Sequence, residues 1–177
     1  MLVVREGMVT HRGNPVTLVG QSEVKVGDKV PNFRLAKSVT EDLEFHQLLG
    51  RQVILNVIPS IDTPTSQTQT HRFSQELSEL GEDVLLVTIS MDLPFALQRW
   101  CDARGIANVE PTSDYKYQDF GKKFALLVRG MGWLARSVFV IDRGGILRYV
   151  EIVPEVEEEP NYTAALGAVI HNRINGW

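Results

Sequence analysis

The sequence predicts a three-layer α/β domain with a β-hairpin at its N-terminus, and three observations predict it. Apolar runs without alternation mark strands covered on both faces. Segments with helical start and stop signals lie between and after them. A turn motif near the C-terminus folds the last apolar run back on itself.

Taken in chain order, "MVTHRGNPVTLVG" reads as a hairpin, with Gly13, Asn14 and Pro15 as turn residues between two short strands. Extended chain follows through "PNFRLA". Three runs, "VILNVI" (Val53 to Ile58), "VLLVTI" (Val84 to Ile89) and "SVFVID" (Ser137 to Asp142), are the doubly covered strands of a parallel or mixed sheet. Helices are predicted over Pro64 to Leu80, Pro94 to Arg104 with Gly105 as C-cap, Lys116 to Phe124, and from about Asn161 to Arg173. "RGG" at Arg143 to Gly145 turns the strand ending at Asp142 into a last antiparallel edge, "ILRYVE". With no repeat, low-complexity tract or linker, residues 1–177 read as one domain. The order of elements is that of a thioredoxin-like fold.

Composition narrows the function. A chain of 177 residues, 44% hydrophobic and 23% charged, can bury a sizeable core without a disulfide or metal staple. A net charge of -4 argues against a phosphate-backbone partner, so nucleic acid is set aside. "MLVVREGMVT" is too short in apolar residues for a signal-peptide core, and no apolar run reaches membrane-spanning length. A cytoplasmic location and no membrane partner are therefore expected. The one cysteine, Cys101, excludes a CxxC pair or thiolate zinc site within this chain, though it can exchange with another thiol. The histidines His11, His46 and His171 are scattered without metal-ligand spacing and read as surface residues, so no metal and no cofactor is expected.

The most informative stretch is the helix start at 64. Pro64 suits the first helical position, which makes Thr63 the N-cap and puts Ser66 in the first turn. Unpaired backbone N–H groups and the helix dipole meet there, an environment that turns a thiol into a thiolate. A serine hydroxyl stays protonated in it. By itself Ser66 reads as a polar first-turn residue, Thr63 as a cap and Cys101 as a small buried hydrophobe, whereas Arg136, beside a buried-strand run, is less usual as a surface ion-pair residue.

Their combination carries more. "PSIDTPTS", Pro59 to Ser66, resembles the peroxiredoxin signature Pro-x-x-x-Thr-x-x-Cys, with serine where the peroxidatic cysteine stands. "SMDLPFALQRWC" ending at Cys101, "LARSVFVID" with Arg136, and "EEPNY" are similar to the bacterial thiol peroxidases, the atypical two-cysteine branch of the peroxiredoxins. The likeness runs along nearly the whole chain. It implies a hydroperoxide substrate, with Pro59 shielding the site, Thr63 and Arg136 orienting peroxide and thiolate, position 66 as the attacking sulfur and Cys101 as the resolving cysteine. It further implies an intramolecular disulfide reduced by thioredoxin, and a homodimer.

Residue chemistry agrees with those roles. A thiolate at 66 attacks a peroxide oxygen to give sulfenic acid, and the Thr63 hydroxyl and the Arg136 fork can hydrogen-bond the peroxide oxygens. With the second helix starting at Pro94, Cys101 lies roughly 10 Å along its axis at about 1.5 Å per residue. A disulfide needs Cα atoms about 5.5 Å apart, so joining 66 to 101 requires local unwinding. Hydrogen peroxide and organic hydroperoxides are both expected substrates, the latter because of the apolar Ile61, Phe95 and Leu134 near the signature. Two origins fit the serine: an engineered Cys→Ser exchange, or a naturally peroxidase-dead relative used as a binding or regulatory module. Retention of Thr63, Arg136 and Cys101 together favours the first. A serine hydrolase is disfavoured, because there is no G-x-S-x-G elbow and His71 lies off the face of Ser66.

Overall fold

The computed structural model describes residues 1–177. The three apolar runs become β5 (Gln52–Val57), β6 (Val84–Ser90) and β9 (Ser137–Ile141), at the centre of a seven-stranded sheet ordered β10-β9-β5-β6-β7-β3-β4. β5, β6 and β7 (Val109–Ser113) are parallel; β9 runs antiparallel to β5, and its hairpin partner β10 (Leu147–Ile152) runs antiparallel to β9. The runs lack alternation because both faces are buried. Val53, Leu55 and Val57 join a core cluster on one side with Phe33, Phe120, Phe124 and Phe139, while Ile54 joins one on the other side with Phe73, Leu77 and Trp100.

Helices α1 (Pro64–Leu80), α2 (Pro94–Ala103) and α4 (Tyr162–Ile174) cover the second cluster. Asn161 caps α4, its side chain accepting the Ala164 N–H at 3.0 Å. α2 stops one residue earlier than predicted, with Arg104 as C-cap and Gly105 beyond it at φ 62°. At the "RGG" turn the Asp142 carboxylate accepts the Gly144 and Ile146 N–H groups, and Gly145 takes φ 82° where a Cβ would meet Leu49 at 2.9 Å.

Several expectations need correction. The N-terminal hairpin, β1 (Val3–His11) and β2 (Asn14–Gly20), turns on Arg12 and Gly13, both at positive φ, so Asn14 and Pro15 open β2 rather than form the turn. The hairpin gains a third strand, β8 (Leu127–Val128), in a separate small sheet. In "PNFRLA" only β3 (Arg34–Ala36) is a strand; it pairs with β4 (Asp42–Glu44), which was not predicted, nor was β7. The helix expected from Lys116 is the short α3 (Asp119–Phe124). Gln118 in the left-handed region blocks an earlier start, and the Asp114 carboxylate caps the helix instead, accepting N–H from Phe120 and Gly121.

The register positions the site. Val57 at the end of β5 pairs with Ser137 at the start of β9. The chain leaving β5 toward α1 and the residue just before β9, Arg136, therefore emerge at the same end of the sheet.

Candidate active site

Pro64 starts α1 at its first position, as its fixed φ and missing N–H favour. Thr63 is the N-cap in backbone geometry, but its side chain makes no cap hydrogen bond. Its hydroxyl lies 2.8 Å from the Ser60 carbonyl and 2.7 Å from Ser66 Oγ. That hydroxyl has one proton. When it donates to the carbonyl, the Ser66 hydroxyl must be the donor to Thr63; an acceptor-only group at position 66 would instead draw the Thr63 proton to itself. Because Thr63 does not cap, the Thr65 and Ser66 N–H groups donate to no protein acceptor. Two bare donors and the helix dipole thus remain around position 66.

α1 buries one stripe, Ser66, Gln69, Thr70, Phe73 and Leu77, at helical spacing. Its polar half meets a fully buried network. Arg136, 2% exposed, donates from Nε to the Val156 carbonyl at 2.7 Å and from Nη1 to Gln69 Oε1 at 2.9 Å. Gln69 donates to Asn56 Oδ1 at 2.7 Å, and Asn56 donates to the Thr70 and Thr88 hydroxyls at 2.9 and 3.0 Å. Neither partner of Arg136 is a carboxylate. Burial pushes its guanidinium down to about 10, which leaves it charged at neutral pH. Glu159 acts on it through space but makes no hydrogen bond to it, and a buried cation paired only with neutral groups is costly unless something anionic visits it.

A cavity of ≈ 540 Å³ opens beside it, bordered by Pro59, Thr63, Thr65, Arg136, Trp133 and Val156, with His11, Arg12 and Glu157 among its other walls. Arg136 Nη2 has no protein acceptor and is the donor left for this space. Ser66 is fully buried and does not border the cavity; Thr63 stands between them. The residues from 154 to 157 tie the walls together: the Glu155 carboxylate accepts the Thr10 hydroxyl and the Arg12 and Gly13 N–H groups, and the Glu157 carbonyl accepts the Thr65 hydroxyl. Those backbone donors hold Glu155 at about 2.

The structure brings Pro59, Thr63, Ser66 and Arg136 together, and leaves Cys101 apart. Cys101 is the eighth residue of the ten in α2, free and 4% exposed, packed in the second core cluster with Ile58, Ile61 and Phe73. Burial, aided by Asp102, pushes its thiol up to about 11. Its helix reaches α1 through Arg104, which stacks on Trp100 and donates to Gln67 Oε1 at 3.3 Å.

Two expectations change here. Ile61, Phe95 and Leu134 do not border the cavity: Ile61 and Leu134 are core residues and Phe95 is 63% exposed. The apolar surface comes from Trp133, Val156, Pro59 and Pro64 instead. His11 is half-buried and packs edge-on against Trp133 at 5.7 Å, a cavity wall rather than a plain surface residue; His46, His71 and His171 are exposed. Sequence reasoning missed Gln69, whose signal was present: a glutamine on the inward stripe of an amphipathic helix needs a buried partner. For His11 and Trp133 no local signal exists, since the hairpin and the loop before β9 meet only in the folded chain.

The redoxin family matches residues 25–166 of the chain. The chain is 45% identical over 160 residues to the thiol peroxidase of Listeria monocytogenes serotype 4b (strain F2365), covering 90% of this chain and 96% of that one. It is 46% identical over 160 residues to the thiol peroxidase of Bacillus subtilis (strain 168), covering 90% and 95%. Among solved structures, a peroxiredoxin-like protein from Aquifex aeolicus superimposes with TM-score 0.84 at 38% identity over 92% of this chain and 95% of that one. The thiol peroxidase from Chromobacterium violaceum superimposes with TM-score 0.83 at 17% identity over 94% and 97%, a likeness of fold. A thioredoxin-like peroxiredoxin fold, a family match over most of the sequence and relatives of nearly full length together place this chain in the redoxin family, among the bacterial thiol peroxidases.

Proposed function

We infer that this chain is the scaffold of a thiol-dependent peroxidase whose attacking sulfur belongs at position 66, and that with Ser66 it does not turn over. The observation that carries the reading is Arg136: a buried guanidinium whose hydrogen-bond partners are all neutral, keeping one donor for a cavity that the first turn of α1 also borders. In the Ser66→Cys protein the thiolate draws the Thr63 proton, and a hydroperoxide enters between Thr63 and Arg136. The sulfur attacks the distal oxygen. An S–O bond forms as the O–O bond breaks, Arg136 stabilises the departing oxyanion, and that anion takes a proton to leave as alcohol or water. Sulfur is oxidised by two electrons and peroxide reduced by two.

Cys101 then attacks the sulfenic acid, an S–S bond forms and water leaves. Since Cys101 is deep in α2 and its thiol is held protonated by burial, this step needs local unwinding to expose and ionise it. Thioredoxin, an external dithiol, reduces the disulfide by two exchanges and leaves oxidised itself. Pro59 keeps water from the sulfur. A homodimer and a cytoplasmic setting belong to the same reading; Leu93 and Phe95, exposed at the start of α2, are the apolar residues a second copy would cover. No helix is long and apolar enough to cross a membrane.

The test is steady-state consumption of hydrogen peroxide and an organic hydroperoxide with thioredoxin as reductant. The Ser66 chain is expected to show none and Ser66→Cys to show turnover; an inert Ser66→Cys protein removes the assignment. The codon for position 66 in the source gene separates an engineered exchange from a natural loss.

A further inference from the structure

Asp92 lies between β6 and α2, off the cavity, yet its side chain joins the two segments that the peroxidase reading sets in motion. Its Oδ1 accepts the Ser60 hydroxyl at 2.7 Å, and its Oδ2 accepts the Ile61 N–H and the Ser90 hydroxyl, each at 2.7 Å. Its carbonyl accepts the Ser113 hydroxyl, which pins the chain entering α2 to the end of β7. Ser60 passes the constraint on. Its hydroxyl accepts the Asp62 N–H at 3.2 Å, and its carbonyl accepts the Thr63 N–H at 3.2 Å and lies 2.8 Å from the Thr63 hydroxyl. The carboxylate thereby fixes the one acceptor that competes with position 66 for the Thr63 proton.

Three short hydrogen bonds to a half-buried carboxylate, none from a cation, make a positioning device rather than a surface charge. We propose that Asp92 is the positioning residue of the turn Ser60–Thr63: it aims the Thr63 hydroxyl at position 66 and latches that turn to the chain leading into α2, so the latch favours peroxide attack and opposes disulfide formation. The inference rests on the peroxidase reading, but its structural half can be measured without chemistry.

Asp92→Ala removes every side-chain contact of the latch. Asp92→Asn keeps an oxygen for Ile61 and Ser90 and presents its amide to Ser60, whose hydroxyl can reverse to accept. Ser60→Ala removes one arm. In the Ser66 chain, hydrogen exchange at Ile61, Asp62, Thr63 and Gln67 should quicken by on the order of tenfold in Asp92→Ala and by less in Asp92→Asn. In the Ser66→Cys protein, Asp92→Ala should slow the oxidation of the sulfur by peroxide and speed the following disulfide formation, each by on the order of tenfold, with Asp92→Asn shifting both less. Asp142→Asn is the stability control, at the far end of the sheet where Ile141 pairs with Val53; it should lower Tm without moving the two rates in opposite directions.

The latch is overturned if Asp92→Asn equals Asp92→Ala, which would make charge the cause, if both rates fall together, or if Asp142→Asn shifts the rates as Asp92→Ala does. An inert Ser66→Cys parent sinks the peroxidase reading, and exchange then decides the latch alone. Should Asp92→Ala fail to fold, Ser60→Ala gives the same readouts at smaller size, and unchanged exchange there overturns the latch.

Discussion

Replacing Arg136 with lysine in the Ser66→Cys protein should either slow peroxide attack or lower Tm, while leaving the acidity of the thiol nearly unchanged. The guanidinium spends Nε on the Val156 carbonyl at 2.7 Å and Nη1 on Gln69 Oε1 at 2.9 Å, with Nη2 left for the cavity. Gln69 cannot turn its amide to suit a new partner, because Nε2 is held by Asn56 Oδ1 at 2.7 Å and Asn56 is held by Thr70 and Thr88. An ammonium presents its donors from one point and cannot span all three directions. If it serves the cavity, a buried acceptor goes unpaired at ~1–3 kcal/mol. At roughly 2–4 °C per kcal/mol for a chain of this size, Tm should then fall by about 2–12 °C. If it stays with the protein acceptors, the transition state loses a charge-assisted bond of ~1.5–3 kcal/mol, or about 13- to 160-fold in rate. Arg136→Met removes the charge as well, so it should also raise the thiol pKa. Stopped-flow oxidation of the reduced protein measures the rate, and the ultraviolet absorbance of the thiolate against pH measures acidity. An Arg136→Lys protein that reacts at the parent rate and keeps the parent Tm refutes the argument; one whose only change is a raised thiol pKa refutes its geometric half.

Cys101, Asp114 and Glu155 give further tests. Cys101, pushed up to about 11 by burial, should resist thiol-directed alkylation in the native Ser66 chain near neutral pH and react once denaturant is added. In the Ser66→Cys protein, one equivalent of peroxide should produce a disulfide to Cys101 in a non-reducing peptide map, with faster hydrogen exchange across α2 and emission changes from neighbouring Trp100; a map containing only intermolecular pairs between position-66 cysteines removes Cys101 from the mechanism. Asp114 is raised from 3.8 to about 7 by burial, so the folded state holds its proton more tightly than the unfolded chain. Its contribution is therefore fully present below about pH 4 and lost as pH rises through about 7. Asp114→Asn should flatten that part of the Tm-against-pH curve, and an unchanged slope between those limits rejects the role. Glu155, held at about 2, has the opposite sign and is separable, since its contribution is lost only as pH falls from about 4.5 toward about 2.

How much of this was legible before folding depends on the range of the forces involved. The helix at Pro64 was readable to the residue because its signals are local: a proline at the first position, an N-cap before it, an inward stripe at 3.6-residue spacing. The strands β5, β6 and β9 were readable because burial on both faces removes alternation from the sequence itself. β7 and β4 were not, since β7 carries Pro111 and β4 is three residues long; each is a strand only because a neighbour supplies the ladder. α3 was misplaced because its cap, Asp114, lies outside the helical pattern and reaches in from a turn.

The same division runs through the site. The sequence by itself determined which residue types surround position 66 and that serine there cannot become the anion its helix start favours. Spacing sufficed for that, because Thr63 and Ser66 lie one helical turn apart. Only the tertiary structure decided that Arg136 is a buried cation hydrogen-bonded to neutral groups alone, that Gln69 and Asn56 lock it, that the cavity wall is His11 and Trp133 rather than Ile61, Phe95 and Leu134, and that Asp92 holds the turn from another loop. Each of these joins residues far apart in the chain. Burial and hydrogen-bond satisfaction are properties of what the completed sheet brings to one end, and no window of sequence contains both partners.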